Sequence, residues 1–194
     1  MADPRIDALR RALAAPGEPA PAPAGRRRAA VLLLLDPGVT GIALLFVRRA
    51  DFLRRHPGQV GFPGGAVEAS DRDIVATALR EAREEVGLDP GNVEVAGSLP
   101  ARLTHTSLLW LTPVVGLLRR PFTVRGDGHE VAETFWLTLD GLLACPHRVA
   151  VAAAGAGAER RVHYYEIGGR TVWGVTGRIV HDLLALIGEE GPAG

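Results

Sequence analysis

The 194-residue sequence contains no lysine; all 22 of its basic residues are arginines, set against 22 acidic residues. The formal net charge is therefore +0, and the charge balance gives no ground for a nucleic-acid or membrane-surface partner. Ala, Gly and Pro are abundant, so the missing lysine is read as a compositional bias and no single arginine as a deliberate choice. Cys145 is the only cysteine, which excludes an internal disulfide and suits a reducing, cytoplasmic compartment. Ahead of Pro146 it reads as a small buried apolar residue, not a nucleophile. Long apolar runs are absent too: residues 29–35 form the longest, and Asp36 ends it far short of bilayer length. Arg26, Arg27 and Arg28 imitate the start of a secretion signal, but they lie deep in the chain and no cleavage pattern follows. What is present is globular: 47% apolar and 23% charged residues, enough for one domain with a full core.

Along the chain, Ile6, Leu9 and Leu13 mark a short amphipathic helix over residues 4–15, followed by a Pro/Ala-rich linker to residue 25. The domain proper is expected from 26 to 190. Residues 29–35 read as a strand buried on both faces, and 41–48 as its hairpin partner across Asp36-Pro37-Gly38. A polar loop at 49–57 leads to a short extended piece broken by Pro63-Gly64-Gly65. A helix is expected over 71–86, with Ile74, Val75, Ala78, Leu79, Ala82 and Val86 as its core stripe and Gly87 as its C-cap. Further strands are expected at 93–99, 107–118 and 134–137, a helical turn at 139–143, a hairpin over 162–173 and a last helix at 176–187. Strands and helices mix without a regular βαβ rhythm, which predicts helices packed on a mixed sheet.

The helix at 71–86 carries Glu81, Glu84 and Glu85 within five residues. Like charges at helical spacing repel, so something positive must sit against them. Glu81 and Glu85 share a face that borders the core stripe, placing hard oxygen ligands at the edge of a groove suited to Mg²⁺ or Mn²⁺. Gly64 and Gly65 leave room for a phosphorylated ligand to reach the backbone amides, and Arg80, one turn before Glu84, is placed to hold that carboxylate. A bare REAREE is otherwise an ordinary solvated helix face; the glycine pair upstream and Val-Gly-Leu downstream argue for a site.

Arg80-Glu81-Ala82-Arg83-Glu84-Glu85-Val86-Gly87-Leu88 resembles the second half of the Nudix hydrolase box at every fixed position. The first half departs from it, with one extra residue and Asp71 where a glutamate is usual; in the family that acid braces the loop. Upstream, Leu44-Leu45-Phe46-Val47-Arg48-Arg49 and Leu53-Arg54-Arg55-His56-Pro57-Gly58-Gln59-Val60-Gly61-Phe62-Pro63-Gly64-Gly65 resemble the signature LLxxRSxxLRxHxGQVxFPGG of coenzyme A pyrophosphatases. That subgroup shares the longer first half. Glu130-Val131-Ala132-Glu133 and Trp173-Gly174-Val175-Thr176-Gly177 resemble further segments of it, so the likeness spans about residues 27–187.

The resemblance implies a Nudix-type α/β/α sandwich with a mixed central sheet. It also implies Mg²⁺- or Mn²⁺-dependent hydrolysis of a small-molecule diphosphate, coenzyme A or a derivative, to 3′,5′-ADP and 4′-phosphopantetheine. Glu81 and Glu85 are the expected principal metal ligands, and Glu84 a further ligand or the general base. Arg80 is the positioning residue, and Glu130 a base candidate from outside the box. Arg48, Arg54, Arg55, His56, Gln59, Phe62, Gly64 and Gly65 are the expected substrate-binding set, arginine forks being suited to phosphate oxygens. His105 and His129 have no role in a hard-ion site. The alternatives are a Nudix enzyme for ADP-ribose, NADH or a dinucleotide, and a Nudix-like binding module without catalysis. A monomer and a homodimer are both compatible with the sequence.

Overall fold

A computed structural model of the protein describes residues 3–13, 21–53, 56–104, 107–155 and 158–188. The central element is β1 (Arg28–Asp36), whose aliphatic run is buried almost throughout. It is covered on both sides because it lies inside a sheet between two layers of helix. Leu32 and Leu34 join the cluster under one helical layer, Leu33 and Leu35 the cluster under the other, as the period-2 alternation of a strand requires.

The hairpin expected after β1 forms only at its tip. β2 (Ala43–Arg49) meets β1 antiparallel at Leu35↔Leu44 and Asp36↔Ala43, and the two strands then part. The chain returning from the 49–57 loop fills the gap: β3 (Val60–Gly61) pairs with β2, and β4 (Gly64–Ala66) pairs with β1, Val31 opposite Gly64. Leu32 N–H donates to Pro63 O at 2.8 Å, closing the wedge. A side chain at Gly64 would lie 2.7 Å from Val31 Cα, so only glycine fits between the strands.

α2 (Ile74–Val86) begins at Asp73, whose carboxylate caps Ala76 N–H at 2.7 Å, and ends at Gly87 in the left-handed conformation with φ 71°. It thus starts three residues later than the periodicity suggests, because Asp71 is held in the preceding turn. β5 (Val93–Ser98), β6 (Arg102–Leu103) and β7 (Trp110–Leu118) follow. β7 runs parallel to β1 from Arg28↔Trp110 to Leu35↔Leu117, which makes the sheet mixed. β8 (Val131–Thr138) pairs with β2, completing an eight-stranded sheet whose main path is β3-β2-β1-β7-β5, with β4, β6 and β8 branching from β1, β7 and β2. α3 (Leu139–Ala144) is the expected helical turn.

β9 (His147–Gly155) has no counterpart in the sequence reading. Its Ala-rich HRVAVAAAG carries little strand propensity and is held by pairing to β10 (Ala158–Ile167), which pairs in turn with β11 (Arg170–Val172) across Gly168-Gly169. α4 (Gly174–Gly188) closes the chain. α1 (Pro4–Ala12) sinks Ile6 and Leu9 into the cluster that α4 shares with β1, β2 and β7. Among the described residues, no helix is long and apolar enough to cross a membrane.

Candidate active site

α2 carries its three glutamates into three environments. Glu85 is 6% exposed, and its Oε2 accepts a hydrogen bond from Gly64 N–H at 3.0 Å. Burial, with the nearby charges of Glu81 and Glu130, pushes its carboxyl up to about 8 against the opposing pull of Gly64 N–H and Arg49. The Glu81 side chain is 16% exposed, and burial outweighs Arg80 in raising its carboxyl as well. Glu84 lies outermost, half exposed, 3.2 Å from Arg80 Nη1.

Arg80 organises this row from beneath. Its Nε and Nη2 fork onto Asp71 at 2.9 and 3.1 Å, Nη2 also donates to Ala66 O at 3.0 Å, and Nη1 reaches Glu81 at 2.9 Å and Glu84. Asp71 accepts in addition from Glu68 N–H and the Thr77 hydroxyl, both at 2.9 Å; the Arg80 fork, first among these contacts, holds its carboxyl down at about 2. The aspartate that departs from the box pattern therefore braces the loop and anchors Arg80. Glu68, 3.8 Å from Arg80 Nη1, adds negative charge that sequence reading passed over.

Two neighbouring carboxyls raised by burial and by adjacent carboxylates are short of positive charge, and a hard divalent cation is the group that would remove that cost. The backbone leaves space beside them: a Cβ on Gly65 would fall 2.5 Å from Glu81 Cδ. The residues present fit such an ion.

Beside the carboxylates opens a cleft of about 290 Å³ lined by Arg49, His56, Gln59, Phe62, Gly64 and Gly65 on one wall. His56 Nδ1 and Gln59 Oε1 are 2.9 Å apart, and Phe62 is seated on Phe46 with ring centroids 5.0 Å apart. Arg48 is not in the cleft. It points instead to Asp51 at 2.9 Å and Glu133 at 3.5 Å. Arg49 holds Glu130 Oε2 at 3.2 Å, and its buried Nε has no hydrogen-bond partner among the described residues. Glu130 is thereby tied to the site. Arg54, Arg55 and His105 lie outside the described residues; His129 is exposed, edge-on to Phe52.

The sequence and fold have counterparts in known proteins. The family model described as NUDIX domain matches residues 25–155. The chain belongs to the Nudix family. Curated relatives named "uncharacterized Nudix hydrolase NudL" include one from Pectobacterium atrosepticum, 40% identical over 84% of each chain, and one from Photorhabdus laumondii, 39% identical over 81% of this chain and 83% of that one. Among solved structures, a MutT/nudix family protein from Enterococcus faecalis superposes with a TM-score of 0.51 at 14% identity, over 87% of this chain and 64% of that one. The Nudix hydrolase RenU from M. smegmatis gives 0.50 at 24% identity, over 61% and 74%. These two likenesses concern the fold.

As a Nudix hydrolase the protein is an enzyme of a family that acts on nucleoside diphosphate derivatives and generally uses Mg²⁺ or Mn²⁺. The far wall of its cleft comes from Thr104 and Ser107 and from Arg160, Trp173, Val175, Thr176 and Ile179. Sequence reading did not single out Arg160, Thr104 or Ser107 as site residues. Nothing in local spacing announces them, since β10 and α4 reach the cleft only through tertiary packing. Arg49 lies within the 44–65 stretch, but its spacing gave no reason to prefer it to Arg48.

Proposed function

We propose that this Nudix hydrolase cleaves the diphosphate bond of coenzyme A and its derivatives, releasing 3′,5′-ADP and 4′-phosphopantetheine. The observation that carries the reading is the position of the 44–65 signature. His56, Gln59, Phe62, Gly64 and Gly65 form one wall of the cleft, with the Glu85 carboxylate on Gly64 N–H. A stretch that distinguishes a substrate subgroup in sequence thus meets the acidic helix of the general chemistry.

Glu81 and Glu85 would hold the divalent ion, with Glu84 at the rim. When bound, the ion supplies neutralisation of the diphosphate and a water acidified toward neutral pH. The remaining work belongs to the chain. Gly64 and Gly65 present bare backbone to the phosphates, and the guanidinium of Arg49, on the cleft wall, donates to their oxygens. His56 and Gln59 fix each other at the substrate wall. The proton leaves the attacking water toward Glu84 or toward Glu130, which Arg49 holds near Glu85; water attacks in line with the departing phosphate oxygen, and charge stabilisation supplies most of the acceleration. The single cysteine supports a cytoplasmic location.

Product analysis after incubation with coenzyme A, NADH, ADP-ribose and a nucleoside triphosphate, each with Mg²⁺ or Mn²⁺, tests the reading. Coenzyme A should have the highest kcat/KM, and much faster turnover of ADP-ribose would reject it. Glu84→Gln and Glu130→Gln locate the base: the true base loses about 10²–10⁴-fold in kcat, and the other variant far less.

A further inference from the structure

Away from the cleft, three histidines from three elements meet. His147 on β9, His163 on β10 and His181 on α4 each bring one ring nitrogen within 4.8 Å of the other two. Strand register does half of this. Tyr165 stands opposite His147 and His163 opposite Val149, so His147 and His163 are diagonal neighbours on one face of the hairpin. Docking of α4 does the rest, setting the His181 ring 4.0 Å from that of His163.

We propose that His147, His163 and His181 form a binding site for one transition-metal ion of the Zn²⁺ class, separate from the carboxylate site of α2 and independent of the substrate reading. Imidazole is the ligand such ions select, whereas Mg²⁺ and Mn²⁺ prefer oxygen. His147 Nε2 and His163 Nδ1 are 3.1 Å apart, close to the roughly 3.3–3.4 Å between two nitrogens that share a tetrahedral ion at about 2.0–2.1 Å. His163 is 3% exposed, and its Nε2 has no hydrogen-bond partner among the described residues. Recruiting this ring to an ion therefore costs at most one imidazole–imidazole hydrogen bond. His147 is exposed, which leaves a path for the ion and an open coordination position.

Packing alone explains part of this arrangement. The rings stack, His147 on Tyr165 at 4.4 Å and His163 on His181, but stacking does not require one ring nitrogen from each of three elements to converge. Closing the widest nitrogen pair takes rotation about χ2, a broad torsion in histidine. Burial, with the neighbouring His181 and His147, pushes the His163 pKa down to about 4. The surrounding charges are mixed. Asp182 favours positive charge at His163 and His181, while Arg178 opposes it at both and Arg102 at His181. Asp182 also holds both arginines, Arg178 Nε at 2.9 Å. Tyr165 Oη lies 3.5 Å from His181 Nδ1. An ion here would tie the β9–β10 hairpin to α4.

The test is titration of the full chain with Co²⁺ in saturating Mg²⁺, which occupies the carboxylates. One equivalent should bring up visible absorption bands of nitrogen-ligated Co²⁺, displaced by Zn²⁺. Zn²⁺ at a hundredfold excess over its Kd should raise the thermal midpoint by about 5–10 °C. His147→Ala, at an exposed position, should weaken binding at least tenfold with an unchanged circular dichroism spectrum, and the Glu81→Gln/Glu85→Gln double variant should keep the bands. Absence of bands in the unaltered protein, their survival in His147→Ala, or their loss in the glutamate variant would each overturn the proposal.

Discussion

Glu85 shows how one side chain links stability to catalysis. Its carboxyl titrates at about 8 in the folded protein without metal and near 4.3 in an unfolded chain. Between those values the native state holds a proton that the unfolded state has released. Stability of the chelator-treated protein is therefore full at acidic pH and declines as pH rises through about 8. Thermal midpoints with EDTA should fall from pH 5 to pH 8, Mg²⁺ should reverse the fall, and Glu85→Gln should flatten the slope while removing activity. Gly65 makes the complementary point about space. A methyl group there meets the Glu81 carboxylate, so Gly65→Ala should displace that ligand and lower kcat/KM at least a hundredfold. Its urea midpoint should change little, since the obstacle is a side-chain end and not backbone.

At the scale of elements, the Asp71–Arg80 ion pair leads the contacts that hold the turn before α2 to the helix. Asp71 has 4% of its side chain exposed and Arg80 has 14%. Removing Asp71 takes away a charge-assisted fork while Arg80 keeps Glu81 and Glu84, at a cost of about 1.5–3 kcal/mol. Asp71→Ala should lower the stability measured by urea unfolding by about that amount. It should also lower kcat, because Arg80 would lose the fork that fixes its place beneath Glu81 and Glu84. The Asp71 contribution has the opposite pH sign to that of Glu85: its folded value of about 2 lies below the ordinary aspartate range, so it stabilises at neutral pH and is lost as pH falls through about 2. The opened β1–β2 hairpin matters at the same scale. It is the wedge of β3 and β4 between those strands that brings the 44–65 signature against α2.

For the whole molecule, the family match covers residues 25–155, yet the cleft needs Arg160 and Trp173 through Ile179 from beyond that span. The amino-terminal helix packs on α4 from the other side. Leu9 is fully buried there, and Leu9→Ala should cost about 2–5 kcal/mol in urea unfolding. Activity at 25 °C should stay within about twofold, since Leu9 does not line the cleft.

Local pattern was enough to place most elements and the carboxylate row. The apolar run of β1, the stripe and Gly87 cap of α2, and the spacing of Glu81, Glu84 and Glu85 are all written in near neighbours, whose periodicity follows directly from helix and strand geometry. The mixed sheet and the Nudix family were legible for the same reason. Tertiary structure alone decided the rest. It turned Arg49 and not Arg48 into the cleft, opened the β1–β2 hairpin, made Ala-rich β9 a strand, and carried Arg160 to the site and three distant histidines to one point. These features depend on partners far along the chain, supplied by sheet register and helix docking, and no local pattern encodes such partners. Three glutamates crowd one face of α2 in the sequence; that Glu85 is the buried one, held on Gly64 N–H, is a property of the fold.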